Sequence, residues 1–303
     1  MTTMNATSTD ATFAYGIVPP GYRLPSATHL GRVRLQIADL DRSIAYYETV
    51  LGLRVVERDG EVATLAADGN DSVIVELHAK PGVRPVSRRG NIGLYHFAIL
   101  LPDRAALGRF VQHLADIGVR AGMSDHLVSE AVYLQDPDGL GIEVYADRPR
   151  SSWRTEDKQL AMATNPLDVE SLVAAAGGER WTAAPGGTVL GHVHLYVRDI
   201  EAAAKFYHGG LGFDKVVWSY PGALFMSAGG YHHHLGTNTW AAGASLSTDE
   251  DARLIEWEIV VPDTESAAGA GRSLEGKGFV VERQGADVVA RDPWGTQVRV
   301  MAR

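Results

Sequence analysis

The chain has no cysteine among its 303 residues. That excludes disulfides, a thiolate nucleophile and cysteine-ligated zinc, and leaves histidine and carboxylates as the strong metal ligands. Long apolar runs are missing too, and no stretch reaches the length that crosses a bilayer. Met1 to Asp10 has neither a basic start nor an apolar segment, so it does not read as a secretory signal, and the cytoplasm is the expected location. Positive charge is in short supply. The balance of 28 Lys and Arg against 37 Asp and Glu gives a net charge of −9, which argues against a general nucleic-acid or anionic-membrane surface. What is present is ordinary globular material: 45% hydrophobic residues, enough for a real core, in a chain with room for about two domains.

The chain also repeats itself. Ile37-Ala-Asp-Leu-Asp-Arg-Ser-Ile-Ala-Tyr-Tyr is matched by Val197-Arg-Asp-Ile-Glu-Ala-Ala-Ala-Lys-Phe-Tyr, and the two runs reach Leu-Gly-Leu (Leu51 to Leu53) and Leu-Gly-Phe (Leu211 to Phe213). Weaker copies begin at Leu101-Pro-Asp-Arg and Val261-Pro-Asp-Thr and end at Ile117-Gly-Val and Lys277-Gly-Phe. Each copy opens with an alternating strand, as in Val33, Leu35 and Ile37 with Arg34 and Gln36 between. An Asp then caps a helix. The helix carries apolar residues at helical spacing, as in Leu107, Phe110, Val111 and Leu114, and a Gly ends it in the left-handed conformation. Three short strands follow. The unit is βαβββ, with copies at about 30–78, 92–146, 190–240 and 254–302. Such units close a core only in pairs, so the fold class is α+β.

Along the chain this gives an N-terminal arm at 1–28, expected to be poorly ordered. A first domain of units one and two follows at 29–147, then a linker at 148–189 with a short helix from Asp168 to Ala176. Units three and four make a second domain at 190–303.

The densest chemistry lies between His126 and Glu143: His126, five residues, Val132-Tyr133, then Asp136-Pro137, Gly139 and Glu143. The Asp-Pro-Asp-Gly turn reverses the chain and lays Tyr133 beside Glu143 on neighbouring strands. Asp136 and Gly139 read as turn residues only. This spacing resembles the signature of the extradiol ring-cleaving dioxygenases, a branch of the vicinal-oxygen-chelate superfamily, and the four units resemble its glyoxalase/bleomycin-resistance-like barrels. One position departs from that signature: Ser124 sits where the family usually carries Gly, Asn, Thr, Ile or Val.

The resemblance implies metal ligands on the first and last strands of a unit. Unit one offers Arg32, which is no ligand, and then Glu76 or His78. Unit two offers His96 and Glu143. Unit three offers His192, with His232, His233 and His234 further on. Unit four offers Glu256 or Glu258, with Arg299 where unit two has Glu143. The candidate ligands are therefore His96, His192 and Glu143, the two-imidazole, one-carboxylate facial triad that suits non-haem Fe(II) and leaves three positions open. Mn(II) suits it as well. His194 faces the same side as His192; His192 is preferred because it aligns with His96 when the helix-capping Asp is the anchor. Consecutive pairing of units would separate these ligands, whereas pairing unit two with unit three would unite them, and ligand complementarity favours the latter.

The resemblance further implies a small aromatic diol and O₂ as reactants and a product of the muconate-semialdehyde type. Tyr133 and His126 would bond the substrate oxygens, and a histidine beside the bound oxygen would accept a proton. On strand alternation His232 and His234 face one side and His233 the other, and the run His-His-Leu-Gly makes His233 the pocket residue. A homo-oligomer is left open. His29, His113 and His208 read as surface or packing residues, and Trp153, Trp181, Trp240 and Trp257 suit core and substrate wall equally. Two other functions fit the same scaffold. One is a glyoxalase-like lyase or isomerase, or a thiol transferase, with a fourth ligand that His234 could supply. The other is a metal-free antibiotic-sequestering protein.

Overall fold

The computed structural model describes residues 15–87 and 90–303. Unit one comprises β1 (His29–Ile37), α1 (Leu40–Thr49), β2 (Arg54–Asp59), β3 (Val62–Ala66) and β4 (Val73–Ala79). Unit two comprises β5 (Gly93–Leu100), α2 (Arg104–Asp116), β6 (Gly122–Asp125), β7 (Ser129–Gln135) and β8 (Gly141–Asp147). The connector holds β9 (Thr155–Glu156), β10 (Gln159–Leu160) and α3 (Val169–Ala174). Unit three comprises β11 (Val189–Tyr196), α4 (Ile200–Tyr207), β12 (Asp214–Val217), β13 (Ala223–Ser227) and β14 (Leu235–Asn238). Unit four comprises β15 (Arg253–Val261), α5 (Thr264–Gly276), β16 (Val281–Gln284), β17 (Asp287–Arg291) and β18 (Gln297–Ala302).

The unit helices start where their sequence says they should. Asp39, Asp103, Asp199 and Asp263 each accept a hydrogen bond from the amide three residues on, at 2.9, 2.7, 2.7 and 2.7 Å, which satisfies an amide that the helix itself leaves unpaired. The connector helix is capped in the same way by Asp168. Its Leu172 carbonyl packs so close to α2 that a Cβ on Gly108 would lie 2.3 Å from it.

The strands of the four units form two curled eight-stranded sheets, β9 and β10 pairing apart from them, and neither large sheet follows the order of the chain. One, here the inner sheet, runs β12-β13-β14-β11-β5-β8-β7-β6 and joins unit three to unit two. The outer sheet runs β16-β17-β18-β15-β1-β4-β3-β2 and joins unit four to unit one. A division at 148–189 therefore cuts through both sheets, and the pairing of unit two with unit three is the one that ligand complementarity favoured. Each sheet closes through the first strands of its two units, β5 against β11 and β1 against β15, antiparallel.

Strand alternation sorts the side chains. Val33, Leu35, Phe97, Ile99, Val193, Leu195, Trp257 and Ile259 all lie in one continuous apolar core with the helices. Full burial of a side chain such as Phe97 contributes roughly 1.5–3 kcal/mol. Trp257 is thus core, and Trp181 packs on Phe110. The intervening residues face the concave surfaces. Polar ties join the sheets: the Tyr47 hydroxyl of unit one reaches Asp136 of unit two, and the Tyr207 hydroxyl of unit three reaches Asp292 of unit four.

The N-terminal arm needs correcting where it is described. Residues 15–28 are packed in place: Ile17 bridges to Lys215, the Tyr22 hydroxyl donates to the Ser266 carbonyl at 2.7 Å, Arg23 pairs with Asp214, and Leu24 is buried. Residues 1–14 of that arm lie outside the described part.

Candidate metal centre

The centre sits at the middle of the inner sheet, and register assembles it. Ala98 on β5 is paired with His192 on β11 and with Glu143 on β8. His96 stands one step along β5 on the same face, opposite His194. The small Ala98 side chain leaves room at the point where the three larger groups meet. His96 Nε2 and His192 Nε2 lie 3.0 and 3.1 Å from Glu143 Oε2 and 3.3 Å from each other. These three form the group of donor atoms among the described residues that could hold a metal ion.

The donor set fits a metal. With metal–ligand bonds of about 2.1 Å, neighbouring corners of an octahedron lie about 3.0 Å apart, close to all three separations. Burial lowers the proton affinity of both imidazoles, Glu143 only partly opposing it, which favours the neutral form that ligates. Burial alone would raise Glu143, but His192 and His96 outweigh it and hold the carboxyl well below its ordinary range. His96 Nδ1 and His192 Nδ1 are buried without a hydrogen-bond partner. Packing rather than a polar anchor orients these rings, Tyr145 lying 4.9 Å from His192 between centroids.

The position from which a fourth protein ligand would come carries none. Parallel register places Gly236 beside His194 as it places Glu143 beside Ala98. A Cβ on Gly236 would lie 2.8 Å from the His194 ring. His194 is itself engaged, its Nε2 being 3.0 Å from the Asn238 amide. His234 turns away, its Nδ1 accepting from the Ala228 amide at 3.2 Å.

A cavity of about 330 Å³ opens on His96 and Glu143. His126 and Tyr133 line it, joined by a 2.6 Å contact between His126 Nε2 and the Tyr133 hydroxyl. His126 Nδ1 lies 2.6 Å from the Ala163 carbonyl, which can only accept. The proton is therefore on Nδ1, and Nε2 accepts from Tyr133. Tyr133 also stands opposite Glu143 in register, as the turn predicts. Burial, with the Glu143 charge adding to it, keeps the Tyr133 phenol well above its ordinary range. Beside His126, Leu127 sits at φ +69° in the left-handed region, a strained conformation for a leucine.

Of the three consecutive histidines, His233 lines the cavity. They are not on a strand: they lie in the turn before β14, so alternation is not what orients them. The sequence reading also missed most of the wall. Tyr95, Tyr220, Phe225 and Met162 join Trp240 there. Trp240 is thereby assigned to the wall, while Trp153 packs on His232 outside the cavity. His113 and His208 bond backbone carbonyls, of Thr49 and Phe213, as packing residues do.

Two curled sheets of βαβββ units with one such concave centre define a superfamily, and comparison with known proteins agrees. Residues 29–144 and 189–300 match the model of the Glyoxalase/Bleomycin resistance protein/Dioxygenase superfamily, and the chain belongs to it. Within that family the chain is 42% identical over 270 residues to the catechol-2,3-dioxygenase of Bacillus subtilis (strain 168), covering 88% of this chain and 94% of that one. It is a dioxygenase-type enzyme. Among solved structures, a Bacillus subtilis subsp. subtilis str. 168 protein provisionally described as a dioxygenase matches with a TM-score of 0.63 at 12% identity, over 93% of this chain and 86% of that one. Glyoxalase I from Zea mays matches with a TM-score of 0.55 at 19% identity, over 90% and 92%. These two likenesses concern the fold.

Proposed function

We propose that the chain is a non-haem Fe(II)-dependent extradiol dioxygenase that opens a catechol-type ring with O₂ to a muconate-semialdehyde-type product. The observation that carries this reading is a three-donor face to which Gly236 adds no fourth protein ligand, set beside the Tyr133–His126 pair in a ring-sized cavity. His96, His192 and Glu143 would hold the metal, and Mn(II) suits the same donors. When bound, the ion supplies a chelating point for the two diol oxygens and the activation of O₂. Glu143 offsets part of the ion's charge. Tyr133 meets a substrate oxygen with a hydroxyl whose proton is shared with His126 Nε2, so the pair can give or take a proton there. His233, which also lines the cavity, accepts the diol proton.

The cavity wall selects the ring. Tyr95, Tyr220, Phe225 and Trp240 present aromatic faces and edges, and the described lining residues include no Lys or Arg. A substrate carboxylate would find no partner there, so the diol carries uncharged substituents. A glyoxalase-like site would need a fourth ligand, and His234 is turned away. A metal-free binding protein has no use for three convergent donors.

The test is anaerobic reconstitution with Fe(II), then catechol and air. A yellow ring-fission product that is lost in His96→Ala supports the reading. Bound iron without ring opening overturns it, and a chain that takes up no metal returns the question to a binding protein.

A further inference from the structure

His233 does not stand alone behind the cavity. Its Nδ1 lies 2.7 Å from His232 Nδ1. His232 is fully buried and places its Nε2 2.8 Å from Asp147 Oδ1, at the end of β8. The same oxygen accepts from the Tyr231 hydroxyl at 3.1 Å, and Tyr231 in turn contacts the Tyr145 hydroxyl at 2.6 Å. Three groups in line thus run from the cavity to the partly exposed Asp147 carboxylate.

The line has a direction. An ionised carboxylate only accepts, so His232 Nε2 carries a proton. In a neutral imidazole the other nitrogen is then bare. Two ring nitrogens 2.7 Å apart share a single proton, which therefore sits on His233 Nδ1. That leaves His233 Nε2 a lone pair, with no hydrogen-bond partner given to it by the described residues, on a ring that lines the cavity.

We propose that Asp147 and His232 are positioning residues that fix the tautomer of His233, so that it meets the substrate as a proton acceptor. A free neutral imidazole prefers its proton on Nε2, which would turn His233 into a donor. The carboxylate two groups away imposes the opposite choice. The inference rests on the proposed role of His233 beside the diol, but the tautomer is measurable without it.

The experiment is long-range ¹H–¹⁵N correlation on metal-free protein labelled with ¹⁵N-histidine, near neutral pH. The expected result is His232 protonated on Nε2 and His233 on Nδ1. In Asp147→Ala the constraint is gone, and in Asp147→Asn the amide can donate to His232 and reverse both rings, so His233 moves to Nε2–H in each. Tyr231→Phe removes the carboxylate's other hydrogen bond and keeps the wild-type pattern. In Fe(II)-loaded enzyme, the two Asp147 variants lose about 10- to 100-fold in kcat, the range over which outer partners of metal-site residues act, with KM unchanged. Tyr231→Phe keeps its kcat. His233 with Nε2–H in the wild type, an unchanged tautomer in both Asp147 variants, or an equal loss of kcat in Tyr231→Phe would overturn the proposal. If the wild type opens no ring, the ring-cleavage reading falls, and the tautomer assignment stands or falls on the spectra alone.

Discussion

Where the inner sheet gathers His96, Glu143 and His192, the outer sheet carries Arg32, Glu76 and Glu256 at the matching places, each first-strand residue lying seven before its helix-capping Asp. Arg299 of the outer sheet is paired with Glu258 as Gly236 is paired with His194. The backbone frame is shared, and the chemistry is reversed. Arg32 binds Glu76 at 2.8 Å and Glu258 at 2.9 Å. Arg34 reaches Glu76, Glu256 and Glu258, and Arg299 binds Glu256 at 2.9 Å. Guanidiniums fixed to the chain supply the positive charge that the inner sheet would take from an ion. Carboxylates alone do not make a metal site: what matters is whether their charge is already answered. In the outer sheet it is, and among the described residues no metal-holding group forms there.

Four experiments break or sharpen this contrast. The largest effect belongs to His96→Ala, which should abolish iron binding, read by metal analysis, and reduce ring cleavage to background while leaving the outer network intact. Next comes Arg34→Met in the outer sheet. Leaving Glu256 and Glu258 partly unanswered should cost about 3–5 kcal/mol in denaturant unfolding, with kcat/KM of the folded protein unchanged. A loss of activity as large as the loss of stability would show that the two sheets are not separable. Tyr133→Phe should lower kcat about 10²-fold, and adding His126→Asn should cost little more, because the two act as one hydrogen-bonded unit.

The smallest effect is in pH. Burial would raise Glu76, but His78, Arg34 and Arg32 outweigh it and bring it from its ordinary 4.5 to about 2. A carboxyl with a depressed folded pKa stabilises above its unfolded value and loses that contribution as pH falls toward the folded one. Stability should therefore drop as pH goes from about 4.5 to about 2, and Glu76→Gln should flatten that part of the curve.

Much of this was legible in the sequence because it is local. The Asp caps, the helix face of Leu107, Phe110 and Leu114, and the turn that sets Tyr133 opposite Glu143 depend on neighbours a few residues apart. The union of unit two with unit three was legible for a different reason, since only that pairing joins two histidines to the Glu. What escaped is long-range. Tyr22 and Leu24 look like arm residues until α5 and the loop before β12 are packed on them. Tyr220, Phe225 and Trp240 become a wall only when unit three folds over unit two, and Met162 reaches the cavity from a connector of no evident pattern. The role of Ala98 was present as a small residue between His96 and Leu100, yet only register shows that two ligands flank it.

The order of the sheets along the chain is that of nested brackets. The inner pair, units two and three, closes within the middle of the chain, whereas the outer pair must bring unit one to unit four across everything between. Contacts between distant segments form more slowly than those between nearer ones. The middle of the chain can therefore bring His96, Glu143 and His192 together before the ends have met. On that order the arginine–glutamate cluster, which needs both ends of the chain, is expected to be the last to form.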